Sequence, residues 1–520
     1  MRELTRTDSS FRSILQRGSL LAVLALPVLH ESTSAQQDTA PTAARELNTP
    51  AQNFPPVVSS PVATGSLTQR AIDHEQRIEQ YQQTVERLQS EVGPFDQSLI
   101  EPLESLTAIF IESENYEDAI ALLDQQLQIQ RINNGLYTTR QLPVVEAQLR
   151  LRAASGDWDK VSDTLQYLSW IYQRDTTLSP EEQLVGLKQL GSWHLTALGQ
   201  DAREHEAFHL VELRNKEEQA RELAEEHYGK TSEALVPFVY DEALADLYIG
   251  LAIMLTGETS QDLMLMTEGI RSRSPAGSSV TASRSLTEAD IEALYGSRAS
   301  TVIERSFKNN MSANLTHLKR IREIYSASGN LEAEAMSLMY MGDSTLLRQQ
   351  YENRPGNFAG VRRGTTTPGP ALDYYGEALA MLTTAGLPDS VVAEFTQCPV
   401  LLPITVFHDN LQDARPQCEH QQEPPLYDLG VYSLMSTLIP GLEGSPELAE
   451  GQLEATLTFT VRSNGQVGNN EILTIEPDNT PNRVRVRKLT ELMQFRPALH
   501  NGRAARTENV RLRVRMPAAQ

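Results

Sequence analysis

Cysteine is almost absent from this 520-residue chain, positive charge is in deficit, and no segment after residue 29 holds the 18 consecutive apolar residues of a membrane span. Each shortage closes off a class of function. Two cysteines, Cys398 and Cys418, cannot build a thiolate metal cluster. In an oxidising compartment they could pair, closing a loop of about 20 residues for roughly 3 kcal/mol in the chain-entropy model. Otherwise they are two buried thiols. Lys and Arg number 45 against 68 Asp and Glu, so the net charge is −23. That disfavours nucleic acid or an anionic membrane surface as a partner of the whole chain. The sequence also lacks a phosphate-cradling Gly-rich loop and a G-x-S-x-G nucleophile elbow. No catalysis and no cofactor are expected.

What the chain does have is the make-up of a soluble globular protein, 40% hydrophobic and 22% charged, at a length that suits several domains. Arg2, Arg6, Arg12 and Arg17 precede the apolar run Gly18 to Leu29, and Thr33-Ser34-Ala35 offers small residues for a cut before Gln36. Residues 1–35 therefore have the form of a signal peptide, with an uncleaved anchor as the alternative. The expected mature protein is periplasmic or secreted. Residues 36–66, rich in Pro, Ser, Thr, Ala and Gln, are expected to be a disordered linker.

From residue 67 apolar residues recur at i, i+3, i+4 and i+7, which predicts consecutive helices over 67–256 and again over 286–390. A Ser-rich loop (257–285) separates the blocks, and a Gly/Pro/Thr-rich insertion interrupts the second at 354–370. In residues 103–129, Leu103, Leu106 and Phe110 share one face of a first helix. Tyr116, Ala119, Leu123 and Leu127 follow on a second. Gly156, Trp158, Val161 and Leu165 echo Glu114, Tyr116, Ala119 and Leu123 about 42 residues later. Weaker echoes occupy 321–343 and 371–382. The pattern resembles the tetratricopeptide repeat. That likeness implies an all-α helical repeat solenoid and a scaffold that binds proteins or peptides. An irregular helical domain is the alternative. Residues 391–445 look like a Pro-rich connector clipped by the cysteine pair.

Residues 446–520 change character. Leu453, Leu457, Phe459 and Val461 alternate with Glu454, Thr456, Thr458 and Thr460, the mark of a half-buried strand. Asn464-Gly465 follows, which predicts a tight type I′ hairpin, and a second strand runs from Val467 to Ile475. A short helix is expected over 482–493. Asn501-Gly502 precedes a last strand in which Val510, Leu512 and Val514 face inward and Arg511, Arg513 and Arg515 outward. The expected fold is thus a helical repeat region followed by a small α+β domain of order β-β-α-β. The hairpin with Asn464 and Gly465, and the run Phe495-Arg496-Pro497-Ala498 followed by Gly502, resemble the C-terminal domain of the TonB energy-transducer family. That resemblance implies a periplasmic module that captures an extended segment of an outer-membrane receptor by adding it to a sheet edge. The outer side of residues 509–516 is the candidate edge, with Val510, Arg511, Leu512, Arg513, Val514 and Arg515 as candidate binding residues. The family also needs a coupling membrane helix and a long extended spacer, neither of which is evident here. Residues 451–520 carry eleven Arg/Lys against six Asp/Glu, a net of +5 that leaves −28 for the rest. The opposed charges favour contact between the two parts or partners of opposite sign, peptidoglycan included. Alternatively, the arginine row is a solvated face.

One motif points elsewhere. His205-Glu206-Ala207-Phe208-His209 matches H-E-x-x-H, in which i, i+4 histidines on a helix hold zinc and the Glu acts as base. A third ligand is missing, since Glu212 stands where the extended form has Gly and residues 201–227 contain no helix breaker. His205 and His209 are therefore expected on a polar, exposed helix face, and no metal is expected. The function these observations favour is an exported scaffold or adaptor with a strand-adding C-terminal module that binds a cell-envelope protein. An accessory of TonB-type outer-membrane transport is the alternative, and a zinc metallopeptidase a more distant one.

Overall fold

The helical region is built on a turn used again and again. In the computed structural model, which describes residues 67–200, 206–255, 299–352, 369–414, 426–428, 452–500 and 502–517, α1 (Leu67–Val92) leads into the pair α2 (Ile100–Glu112) and α3 (Tyr116–Asn134). The pair α4 (Leu142–Ala154) and α5 (Trp158–Arg174) comes next. Between α2 and α3, Glu114 takes φ 57°, while Asn115 N–H bonds to Phe110 O and Glu114 N–H to Ile111 O. Gly156, between α4 and α5, takes φ 76°, with Asp157 N–H to Arg152 O and Gly156 N–H to Ala153 O. Both are Schellman turns, which satisfy the last carbonyls of one helix. The next residue then caps the following helix: Asn115 accepts from Asp118 N–H and Asp157 from Lys160 N–H. The 42-residue echo read from the sequence is therefore a repeated device of backbone and cap.

The series continues through α6 (Pro180–Gln200), α7 (Glu206–Tyr228), α8 (Val236–Leu255), α9 (Ala299–Ser328), α10 (Leu331–Glu352), α11 (Gly369–Thr384) and the short α12 (Asp389–Thr396). Gly329 and Gly386 make the same left-handed turn after α9 and α11. No helix among the described residues is long and apolar enough to cross a membrane. The two expected helical blocks are joined: α8 packs along α9, and one continuous core runs from Leu184 on α6 through Phe307 and Met339 to Tyr375 and Phe395.

The expected connector is structured where it is described. Tyr240 on α8 donates to Ile404 O at 2.7 Å, Tyr340 on α10 to Val406 O at 3.1 Å, and Leu411 N–H donates to Glu332 at 2.8 Å. Phe407 lies against the rings of Tyr240, Tyr325 and Tyr340. Cys398 is buried and disulfide-bonded. Cys418 falls outside the described residues, as do 1–66, the loop 257–285, most of the 354–370 insertion, His205 and Asn501.

The C-terminal part holds β3 (Gln452–Val461), β4 (Val467–Glu476), α13 (Thr480–Leu492), β5 (Gln494–Arg496), β6 (Ala498–His500), β7 (Arg503–Ala505) and β8 (Thr507–Pro517). The inward alternation holds: Leu453, Ala455, Leu457, Phe459, Val461, Leu512 and Val514 are buried with Val486 and Leu489 of α13. The hairpin differs from the type I′ expectation. Only Gly465 has positive φ (79°); Gly465 N–H bonds to Arg462 O and Arg462 N–H to Gln466 O. That is a three-residue loop, a type I turn closed by a glycine bulge. A Cβ at Gly465 would stand 2.0 Å from Phe495 O, so close backbone approach also requires glycine there.

Two strands of the sheet region come from the connector. β1 (Val400–Leu402) pairs antiparallel with β5, and β2 (Leu426–Asp428) pairs parallel with β8, giving the sheet order β2-β8-β3-β4. A domain boundary at 446 therefore cuts two strand pairings.

Candidate functional site

An antiparallel sheet can take an extended partner only at an edge, so the ladder must be followed residue by residue. β8 pairs with β3 without interruption from Phe459↔Val510 to Gln452↔Pro517. Its bulge lies beyond that run, where Asn509 takes φ 58°. On the other flank of β3, β4 is bulged twice. Thr456 pairs with Thr474 but Leu457 with Ile472, leaving Leu473 extra, and Thr458 pairs with Glu471 but Thr460 with Gly468. Bulges twist an edge away from incoming strands. β4, which has no outer strand among the described residues, is therefore the poorer acceptor, although it is the more exposed strand.

The candidate edge needs correction in two respects. First, β8 does not border the sheet along its whole length: β2 covers its outer side at Arg513, Val514 and Arg515, while Thr507 to Leu512, and the strand's last two residues, Met516 and Pro517, have no outer strand among the described residues. A three-residue strand inside a Pro-rich connector leaves too little pattern to predict. Second, the arginine row is not solvated. Arg511 is exposed and Arg513 half-buried, but Arg515 is 2% exposed. Glu454, directly across from Arg515, accepts from its Nη2 at 2.8 Å and forms an ion pair with Arg513, whose Nε lies 3.5 Å away. Cross-strand charge pairing, not water, serves two of the three. Val510 is half-buried; Leu512 and Val514 are buried core residues.

The run Phe495-Arg496-Pro497 is buried throughout. Arg496 leaves its own sheet and forms a fork on Asp343 of α10: Nε to Oδ1 at 2.7 Å and Nη2 to Oδ2. Tyr375 of α11 donates its hydroxyl to the same Oδ1 at 2.8 Å. Burial alone would lower the Arg496 pKa; the Asp343 carboxylate outweighs this and raises it. Burial pushes the Tyr375 hydroxyl well up, with Asp343 adding to it, so the group stays a donor. Close helix approach lets Tyr375 reach: a Cβ at Gly342 would meet its ring at 2.3 Å. Bidentate geometry in a dry site makes this a strong pairing. It fastens β5, which pairs with β1 apart from the four-stranded sheet, to the helices through residues 153 positions apart. Asn464 and Gly465 serve the same joint from the other side: Gln494 reaches Asn464 O at 2.9 Å, and Phe495 N–H reaches Gly465 O at 2.9 Å. Gly502 has φ 73° in the β6–β7 turn.

The zinc motif resolves differently from the exposed face expected. His209 is fully buried, its Nδ1 2.9 Å from Nδ1 of His194 on α6, which is 3% exposed. At that distance one ring donates and the other accepts, so the two Nδ1 atoms share one proton. Burial first, then His209 and Lys216, hold the His194 pKa well below the imidazole range. No cluster of three potential metal ligands occurs among the described residues. Next to this pair lies a buried ionic group that the periodicity of the sequence did not reveal. Lys188 of α6 bonds to Glu217 of α7 at 3.1 Å and to Asp241 of α8. Burial would lower Lys188, yet Asp241 and Glu217 together raise it. Burial raises Glu217 to about 7, against Lys188 and with help from Asp241. Arg214, Asp246, His317, Glu242 and Arg221 extend the network across α7, α8 and α9. An open groove of about 420 Å³ lies among Lys319, Arg322, Ser326, Glu334 and Tyr374.

Compared with protein-family models and with curated proteins, the chain matches none.

Proposed function

We propose that this chain is an exported interaction scaffold: a helical repeat solenoid, tetratricopeptide-like, carrying a TonB-like C-terminal module that binds an extended segment of a cell-envelope protein by strand addition. The carrying observation is the β8 ladder. From Val510 to Pro517 it is a regular strand, its one bulge lying at Asn509; the neighbouring β5, bridged to the hairpin through Gln466 and Gln494, is clamped to the helices by Arg496 and Asp343, and the outer side of β8 is unpaired by any described strand from Thr507 to Leu512. A rigid frame suits this role, because an added strand gains affinity from main-chain hydrogen bonds only if the edge is already in place. The repeated left-handed turns at Glu114, Gly156, Gly329 and Gly386 support the solenoid reading. A part in outer-membrane transport is the narrower form of the same reading.

The test uses the full mature chain as bait in an envelope extract, followed by hydrogen exchange on the captured complex. Strand addition protects the amides of 507–512. A partner that binds while leaving those amides at their free rate defeats the strand-addition reading.

A further inference from the structure

We propose that the outer side of β8 is a strand-acceptor site held closed in cis by the chain's own segment Leu426–Asp428, which an incoming strand must displace. This rests on the strand-addition reading above and adds its regulation.

Three observations converge. The sheet offers two flanks, and β4 is spoiled as an acceptor by its two bulges, at Leu473 and around Asn469. β8 has a single bulge, at Asn509, and is regular from Val510 to Pro517, so it is the flank a strand can extend. The flank that can accept is the one already occupied, and by a segment from the connector that is not part of the β-β-α-β unit. As described, the resident strand matches β8 at three register positions, Leu426↔Arg513 to Asp428↔Arg515, and Thr507 to Leu512 have no outer strand among the described residues. An extended segment long enough to pair along the regular run 510–516 would gain ladder bonds that Leu426–Asp428 does not make. It could begin on the open half and replace Leu426–Asp428 on the other. Because the resident is tethered, its effective concentration is on the order of millimolar. Apparent affinity for a partner is then reduced by the fraction of molecules in which the resident is detached.

The experiment uses the full mature chain and its Leu426→Pro/Tyr427→Pro variant. Successive N–H groups of a strand point to opposite sides, so one of the two prolines removes a ladder donor. The probe is a synthetic peptide copying residues 422–432, offered in trans. Two quantities are read: hydrogen exchange of the β8 amides and the peptide dissociation constant. The expected result is at least tenfold faster exchange over 513–516, with β3 protection kept, and peptide binding at least tenfold tighter to the variant than to the parent. Unchanged β8 exchange would mean that Leu426–Asp428 does not hold the edge, overturning the proposal but leaving strand addition standing. Faster exchange with equal peptide affinity for both chains would equally overturn it, since the acceptor would then be open regardless. Faster exchange with binding to neither chain would remove both the proposal and the strand-addition reading. If the prolines unfold the sheet, seen as lost protection in β3, the Leu426→Gly/Tyr427→Gly/Asp428→Gly variant takes their place. It keeps the backbone donors but weakens the strand.

Discussion

At the scale of single residues, the pairing of Arg496 with Asp343 joins a strand to a helix in a site from which water is excluded; the two are 3% and 5% exposed. Removing one member leaves the other charged and buried, which typically costs about 3–5 kcal/mol. Arg496→Ala and Asp343→Ala are each expected to lose that much in chemical denaturation. Arg496→Met combined with Asp343→Leu should lose much less than the sum, because neither charge is then stranded. Additive losses would show that the fork contributes little. Glu114 offers a change of opposite sign. It occupies the left-handed position that Gly156, Gly329 and Gly386 fill elsewhere. A Cβ there costs about 1–2 kcal/mol, partly offset by the greater freedom of glycine in the unfolded chain. Glu114→Gly is expected to raise stability by about 0.5–1 kcal/mol, read as a higher denaturation midpoint. A lower midpoint would mean that Glu114 makes a contact worth more than its strain. The sequence marked both Glu114 and Arg496 as special. It could not show what Arg496 bonds to, because the partner lies 153 positions away on another element.

At the scale of elements, α6, α7 and α8 enclose titrating groups that pull stability in opposite directions with pH. His194, facing His209 and Lys216, has its folded pKa depressed, so its contribution is present above the unfolded value of about 6.5 and is lost as pH falls below it. Glu217, facing Lys188, Asp241 and Glu242, is raised to about 7. Between about 4.5 and 7 its folded state holds a proton that the unfolded state lacks, so its contribution grows as pH falls through that window and is lost as pH rises through 7. From about pH 6.5 down to 4.5 the two slopes oppose one another. Glu217→Gln is expected to leave the histidine unopposed, making stability fall more steeply on acidification than in the parent, by at most about 1.4 kcal/mol per pH unit. Denaturation midpoints at pH 5 and pH 7.5 measure it; equal losses in variant and parent would show that Glu217 does not titrate in this window. The apolar spacing of these helices was legible because it follows the 3.6-residue period. Their buried polar face was not, since Lys188, Glu217 and Asp241 come from three helices and each alone resembles an ordinary solvated residue. The same limit applied to His209, whose burial depends on His194 from the neighbouring helix.

At the scale of the whole molecule, the boundary between helices and sheet is a joint, not a linker. The sequence showed the change from a 3.6-residue to a two-residue period near residue 452, and the structure keeps it. It did not show that β1 and β2 lie upstream of that change, for three-residue strands carry too few positions to display any period. Deleting 446–520 therefore removes more than an appended module. β1 loses β5, Asp343 loses Arg496, and the buried Phe395 loses the guanidinium over its ring. The truncated chain is expected to melt at a lower temperature than the full chain and to become sensitive to protease over 400–414, where β1 loses its ladder with β5 and the segment is held by its bonds to α8 and α10 without that support. Asp343→Leu within the truncated chain should recover part of the loss by removing the stranded carboxylate. Were the truncated helices to melt at the same temperature with 400–414 still protected, the sheet would be an independent domain resting on the helices. The Arg496 clamp would then carry no weight in presenting β8 to a partner.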